Sequence, residues 1–251
     1  LQNHLEYNDM IKVVTKINSR KYDYETPFFD KVDEVLDTSE GKHVETVLME
    51  AFEKLLSQVS TEINTIEQEM SLKPTCALGC AHCCYFPIVV TRLEVKLILM
   101  FIKRLPDERR QSITEHIATY LQQHNTELEQ LRGLDFKSNP TFKDTYKKME
   151  LPCIMLDMKT NTCMAYEVRP IPCRTYVNYA DPLVCKEERL PKEALSYEFM
   201  HPFYVQGMDE VIQEILEVVN DSDLGFSYPA DAADVNYLPI LLKEELDRMM
   251  K

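Results

Sequence analysis

Eight cysteines stand at positions 76, 80, 83, 84, 153, 163, 173 and 185 of a 251-residue chain, four of them inside the stretch CALGCAHCCYF. Thiolate is a soft ligand that selects zinc, iron–sulfur clusters and copper(I). An even number of cysteines also fits disulfides in a secreted protein, and buried core thiols are a third reading. The first block is too tight for independent bridges, a chain of this length needs no staples, and chance rarely confines eight cysteines to two patches. Metal or cluster ligation is therefore the expected use of Cys76, Cys80, Cys83, Cys84, Cys153, Cys163, Cys173 and Cys185.

Successive side chains of a turning segment point in different directions. Cys83 and Cys84 thus predict two neighbouring metals, a multinuclear cluster, or one ligand beside one spectator. The second block spaces its cysteines by ten, ten and twelve residues, which fits separate loops converging with the first block on a shared centre. Arg169 and Arg174 flank Cys173 and are placed to donate to thiolates or offset a negative cluster, with a surface pair from Arg169 to Glu167 or Asp157 as the alternative. Gly79 is expected to turn the chain tightly before Cys80. His82 reads as a neighbour of the site or a solvent-facing residue, Glu94 as a helix cap, and His201 as a structural histidine. Tyr166, Tyr176 and Tyr179 read either as a shield for the site or as core.

The elements that must hold these residues read as mostly helical. Apolar residues at steps of three and four predict one long helix over 42–70. Thr91 and Glu94 have capping-box spacing and predict a helix from 91 to 105. Pro106 opens another that runs to 131, shorter amphipathic segments follow at 140–149, 208–220 and 237–250, and PIVV and CIMLD suggest a short strand pair. Between 151 and 185 periodicity is lost and Pro152, Pro170, Pro172 and Pro182 punctuate the chain, so this is loop-rich backbone in need of cross-links. The expected fold is mainly α, a helical core with irregular cysteine-bearing segments. Its organisation is a helical extension over 1–75, a cysteine region over 76–185 and an acidic helical region over 186–251, with 42–70 and 76–251 forming one compact domain.

Charge follows the same division. Residues 1–75 carry 8 Lys and Arg against 15 Asp and Glu, residues 76–185 carry 14 against 12, and residues 186–251 carry 6 against 15. All eight cysteines thus lie in the one segment that is not acidic, as anionic thiolates require. A net charge of −14 argues against nucleic acid as a partner, since such binders need a basic footprint, whereas acidic wings suit a basic protein partner. No apolar run is long enough to span a bilayer. The opening residues have neither a basic nor an apolar leader region, so a cytoplasmic location is expected. Motifs of hydrolases, P-loop NTPases, zincins and Rossmann enzymes do not occur.

Cys76, Cys80 and Cys83 have the CxxxCxxC spacing with which radical S-adenosylmethionine enzymes hold a [4Fe–4S] cluster, although five glycines and no strand–helix alternation argue against that fold. Taken with Cys84, Pro87 and Glu94, and with Cys163, Tyr166, Arg169, Pro170, Cys173, Arg174 and Tyr176 in the second block, these residues resemble the YkgJ-type cysteine-cluster family. The resemblance spans about 76–185, with a first spacing of three residues where the family signature, CxxCxxCC, has two. It implies a zinc- or iron-chelating domain, and one branch resembles a methylase of flagellin lysines. Two functions follow as expectations. One is a metal-binding protein holding a zinc, iron or iron–sulfur centre for metal handling, redox or scaffolding. The other is a metal-dependent enzyme, redox or S-adenosylmethionine-using, acting on a basic protein side chain.

Overall fold

A computed structural model of the protein describes residues 4–186, 196–216 and 225–250. In chain order the described residues form α1 (Tyr7–Asn18), α2 (Thr26–Asp37), α3 (Val44–Met70), α4 (Arg92–Arg104), α5 (Asp107–Gln123) and α6 (Asn125–Arg132). Then come α7 (Phe142–Lys148), α8 (Ile171–Thr175), α9 (Leu183–Lys186), α10 (His201–Leu216), α11 (Ala230–Ala233) and α12 (Leu238–Met249). The fold is mainly α, as its periodicity predicts. The segment predicted as one helix over 106–131 is two, because His124 leaves the helical region at φ −107° between α5 and α6. Of the helix predicted over 208–220, residues 217–220 lie outside the described residues.

The chain divides into two compact units, the first drawn from Leu1–Leu78 and Pro170–Leu224, the second from Gly79–Arg169 and Gly225–Lys251. In the first unit α3 packs against α2, α8 and α10. Its stripe of Val47, Leu48, Ala51, Phe52, Leu55, Leu56, Val59, Ile63 and Ile66 is buried, each large side chain contributing about 2 kcal/mol. Gly207 of α10 lets the helices approach closely, since a Cβ there would stand 3.0 Å from Leu55 Cδ2. His201 shares a 2.9 Å hydrogen bond with Thr175 Oγ1, and burial lowers its pKa, so it serves the packing of α8 against α10 as a neutral ring.

The second unit is organised by a two-stranded antiparallel ladder. Strand β1 (Val89–Thr91) pairs with β4 (Val235–Tyr237), Val90 opposite Asn236. The partner expected for β1 was CIMLD; instead Leu156–Asp157 (β2) turns back on Thr162–Cys163 (β3) as its own hairpin. Asn161 at φ +54° and hydrogen bonds to the Asp157 carboxylate from Lys159 N–H and Thr160 Oγ1–H close that turn locally, which leaves the edge of β1 to the distant β4. Both strands run directly into helices, β1 into α4 and β4 into α12. Thr91 caps α4, its hydroxyl accepting from Glu94 N–H at 3.1 Å while Glu94 Oε2 accepts from Thr91 N–H at 3.3 Å, and such a cap contributes about 1 kcal/mol.

Arg92, the first residue of α4, is buried and forks to three carboxylates: Nε to Asp234 at 2.6 Å, Nη1 to Glu245 at 2.6 Å and Nη2 to Glu244 at 2.7 Å. One guanidinium thus ties the start of α4 to the middle of α12 and to the residue that precedes β4. Removing the cation leaves its acceptors uncompensated. Because Asp234 and Glu244 are partly solvated, the low end of the range for broken buried pairs applies, about 3 kcal/mol. Arg92→Leu is expected to lower the unfolding free energy in urea by that amount, and a loss below about 1 kcal/mol, the scale of a surface pair, would show that the fork is not structural.

Candidate metal centre

The first cysteine block leaves α3 by a left-handed turn at Ser71, φ 53°. Thr75 then anchors the chain, its N–H donating to Asn178 O at 2.9 Å and its hydroxyl to Ala180 O at 2.8 Å. In that unit Cys76 Sγ accepts Asn178 N–H at 3.4 Å. Cys173 lies on α8, where Pro172 supplies a fixed φ in the first turn, and Arg174 reaches Ser60 of α3 at 3.2 Å. Cys185 lies on α9, begun by Asp181, whose carboxylate accepts Leu183 N–H at 2.9 Å. Cys76, Cys173, Cys185 and Arg174 therefore belong to the first unit.

Cys80, Cys83, Cys84, Cys153, Cys163 and Arg169 belong to the second. Gly79 stands at φ +88°, a conformation costly for any side chain, and delivers the chain into the 3-10 turn His82–Tyr85 that carries Cys83 and Cys84. Here the two cysteine blocks meet: Cys153 N–H donates to Cys84 O at 2.6 Å. The second block is held from below by α5. Tyr120 Oη–H donates to Pro152 O at 2.7 Å and His116 Nε2 lies 3.0 Å from Ile154 O, fixing the backbone on both sides of Cys153. The hairpin presents Cys163 opposite Leu156, and Met164 N–H donates to Met155 O at 2.8 Å.

The thiols sit in unlike surroundings. A hydrogen bond from the Cys84 side chain lowers the Cys83 pKa to about 7, against the crowding of protein atoms around its sulfur and with help from the positive charge of Arg169. The residue as a whole is nevertheless exposed, so hydrogen bonding outweighs desolvation there. Burial pushes Cys153 up to about 12, the proximity of Cys163 adding to it, while Met155 N–H, 3.4 Å from its sulfur, works the other way. Burial likewise raises Cys163, opposed by Ala165 N–H and by Arg169. Arg169 stacks on Tyr166 with its guanidinium carbon 4.0 Å from the ring centre. Glu167 is forked by Arg109, with both bonds at 2.8 Å, and Asp157 closes its own turn.

No cysteine is in a disulfide. Among the described residues no three His, Cys, Asp or Glu side chains are gathered as a finished metal cage, so what the second unit provides is five thiols on backbones already held together. Tyr166 is exposed and Tyr179 is buried, bonded to Glu67 at 2.6 Å and to Tyr197 at 2.7 Å, which makes Tyr179 a core residue of the first unit. Sequence reasoning did not find Tyr120 and His116: they lie on an ordinary amphipathic helix, and their acceptors are backbone carbonyls that carry no residue signature. In reduced, metal-stripped protein, alkylation at Cys83 is expected to accelerate as pH rises through about 7, because the thiolate is the nucleophile. Cys153, half-buried and with its pKa pushed up to about 12, is expected to label far more slowly than Cys83 at neutral pH. Mass-spectrometric mapping checks this, and equal labelling of both at pH 7 would contradict the two environments.

No curated protein and no solved structure matches the chain, and no helix among the described residues is long and apolar enough to cross a membrane. The resemblance drawn from the two cysteine motifs holds: residues 75–193 match the CxxCxxCC family, described as "putative zinc- or iron-chelating domain".

Proposed function

We propose that this protein binds zinc or iron through its clustered cysteines, the centre serving metal handling, redox chemistry or the cross-linking of an interaction scaffold. The observation that carries the reading is the meeting of the two sequence-distant cysteine blocks at the Cys153–Cys84 hydrogen bond, inside the segment matched by a chelating family. The donor set fits such a metal. It is all sulfur, it combines one readily ionised thiol with half-buried ones, and N–H groups lie against the Cys76 and Cys153 sulfurs while the charge of Arg169 acts on Cys83 and Cys163, as the surroundings of metal thiolates require. Cys80, Cys83, Cys84, Cys153 and Cys163 would hold metal in the second unit, with Arg169 offsetting their charge. Cys76, Cys173 and Cys185 are the candidate ligands of the first unit, beside Arg174.

Five thiols are one more than a closed tetrahedral zinc site uses. That surplus favours a second ion, a cluster, or a thiol left free for exchange. Metal, once bound, would supply the cross-link that the proline-punctuated segment after Leu151 lacks.

Protein purified without oxygen is expected to contain roughly one or more zinc or iron ions per chain by elemental analysis, with inorganic sulfide if the centre is a cluster. Cys83→Ser and Cys163→Ser, one from each block, are each expected to lower the metal content, while His82→Ala leaves it unchanged. A folded, soluble chain without metal would overturn the proposal, and so would full metal in both cysteine variants.

A further inference from the structure

The ammonium of Lys147 is buried, and it has no hydrogen-bond partner among the described residues. It lies on α7, 5.3 Å from the centre of the Phe86 ring. Phe86 is the residue that ends the first cysteine block, its N–H donating to Cys83 O at 3.1 Å. The preceding residue of α7, Tyr146, is buried within electrostatic reach of Cys153. Lys147 thus occupies the flank of the place where the two blocks meet, all within the second unit.

A buried ammonium without an acceptor is unfavourable, and a phenyl face returns only part of the lost hydration. The acids near it in sequence, Asp144 and Glu150, are exposed, and no ion pair to Lys147 occurs among the described residues. What the position lacks is an anion. Protonated thiols are neutral, whereas four thiolates on a dipositive ion carry a net charge of about −2. Loading the neighbouring cysteines is therefore the event that would supply the missing charge.

We infer that Lys147 is the counter-charge of the metal centre, a positioning residue that stabilises the loaded thiolate site without ligating the ion. The inference rests on the proposed metal-binding function and deepens it. A purely structural lysine and a counter-charge predict opposite responses. If Lys147 only holds α7 against Phe86, its loss weakens the metal-free fold. If it waits for the loaded site, replacing it by an apolar chain relieves the empty protein and weakens metal binding.

The test compares wild type with Lys147→Met, Lys147→Gln, Lys147→Arg and the exposed neighbour Lys148→Gln, using zinc alone and, anaerobically, ferrous iron alone. Dissociation constants come from competition with a chromogenic chelator, and thermal midpoints are taken on the metal-free proteins. Lys147→Met and Lys147→Gln are expected to weaken metal binding roughly tenfold or more, the range seen when partners of metal ligands are removed. Their metal-free midpoints should be unchanged or raised, and Lys147→Arg and Lys148→Gln should keep wild-type affinity. Affinity of both neutral variants within about twofold of wild type, well short of that range, would overturn the inference, as would a lowered metal-free midpoint with affinity intact. A wild-type protein that takes up neither ion would instead bring down the metal-binding function, and this inference with it.

Discussion

The site depends on one backbone hydrogen bond, from the amide of Cys153 to the carbonyl of Cys84 at 2.6 Å. It costs the chain two ordering problems, because neither partner lies in regular secondary structure long enough to orient itself. Both are solved by neighbours. On one side Gly79 turns the chain and a single 3-10 turn sets the direction of Cys83 and Cys84. On the other, Tyr120 and His116 grip the carbonyls of Pro152 and Ile154, so α5 holds Cys153 where its amide finds its acceptor. Backbone placed in this way can carry thiols whose side chains still have freedom to close on an ion.

Beneath that junction lies a second constraint, the ladder between β1 and β4 and the guanidinium of Arg92. The strands are three residues each, too short to be stable by themselves. They hold because each continues into a helix and because Arg92 ties Asp234, Glu244 and Glu245 to the start of α4. Since β1 begins within a few residues of Cys84, the first cysteine block inherits the rigidity of that corner.

These two constraints also explain what was legible in the sequence. The long stripe of α3 and the capping box of Thr91 and Glu94 are local patterns, and they appear where the periodicity places them. The family of the cysteine blocks is legible for the same reason, since residue type and spacing suffice to recognise it. The partners of β1 and of Arg92 are not. They lie on the far side of the chain, in a three-residue strand whose alternation is too brief to register and in acids that resemble any others in an acidic segment. The hairpin of Asp157 and Asn161 hid the rest, since a turn closed by its own side chains removed CIMLD from the pairing expected of it.

The charge of the cysteine-bearing segment acquires a more definite meaning once its cations are followed to their contacts. Much of the positive charge is spent on acids. Arg92 goes to its three carboxylates, Arg109 to Glu167, Arg110 to Asp107, and Arg132 to Glu129 and Glu244. Arg169 is different, because its charge acts on Cys83 and Cys163. Lys147 is different again, because its ammonium is buried beside Phe86 with no hydrogen-bond partner among the described residues. An excess of two positive charges over a whole segment says little by itself. Arg169, whose charge acts on two thiols, and Lys147, beside the phenyl ring that ends the first cysteine block, suit the negative charge that the thiolates of the proposed metal centre would carry and neutral thiols do not.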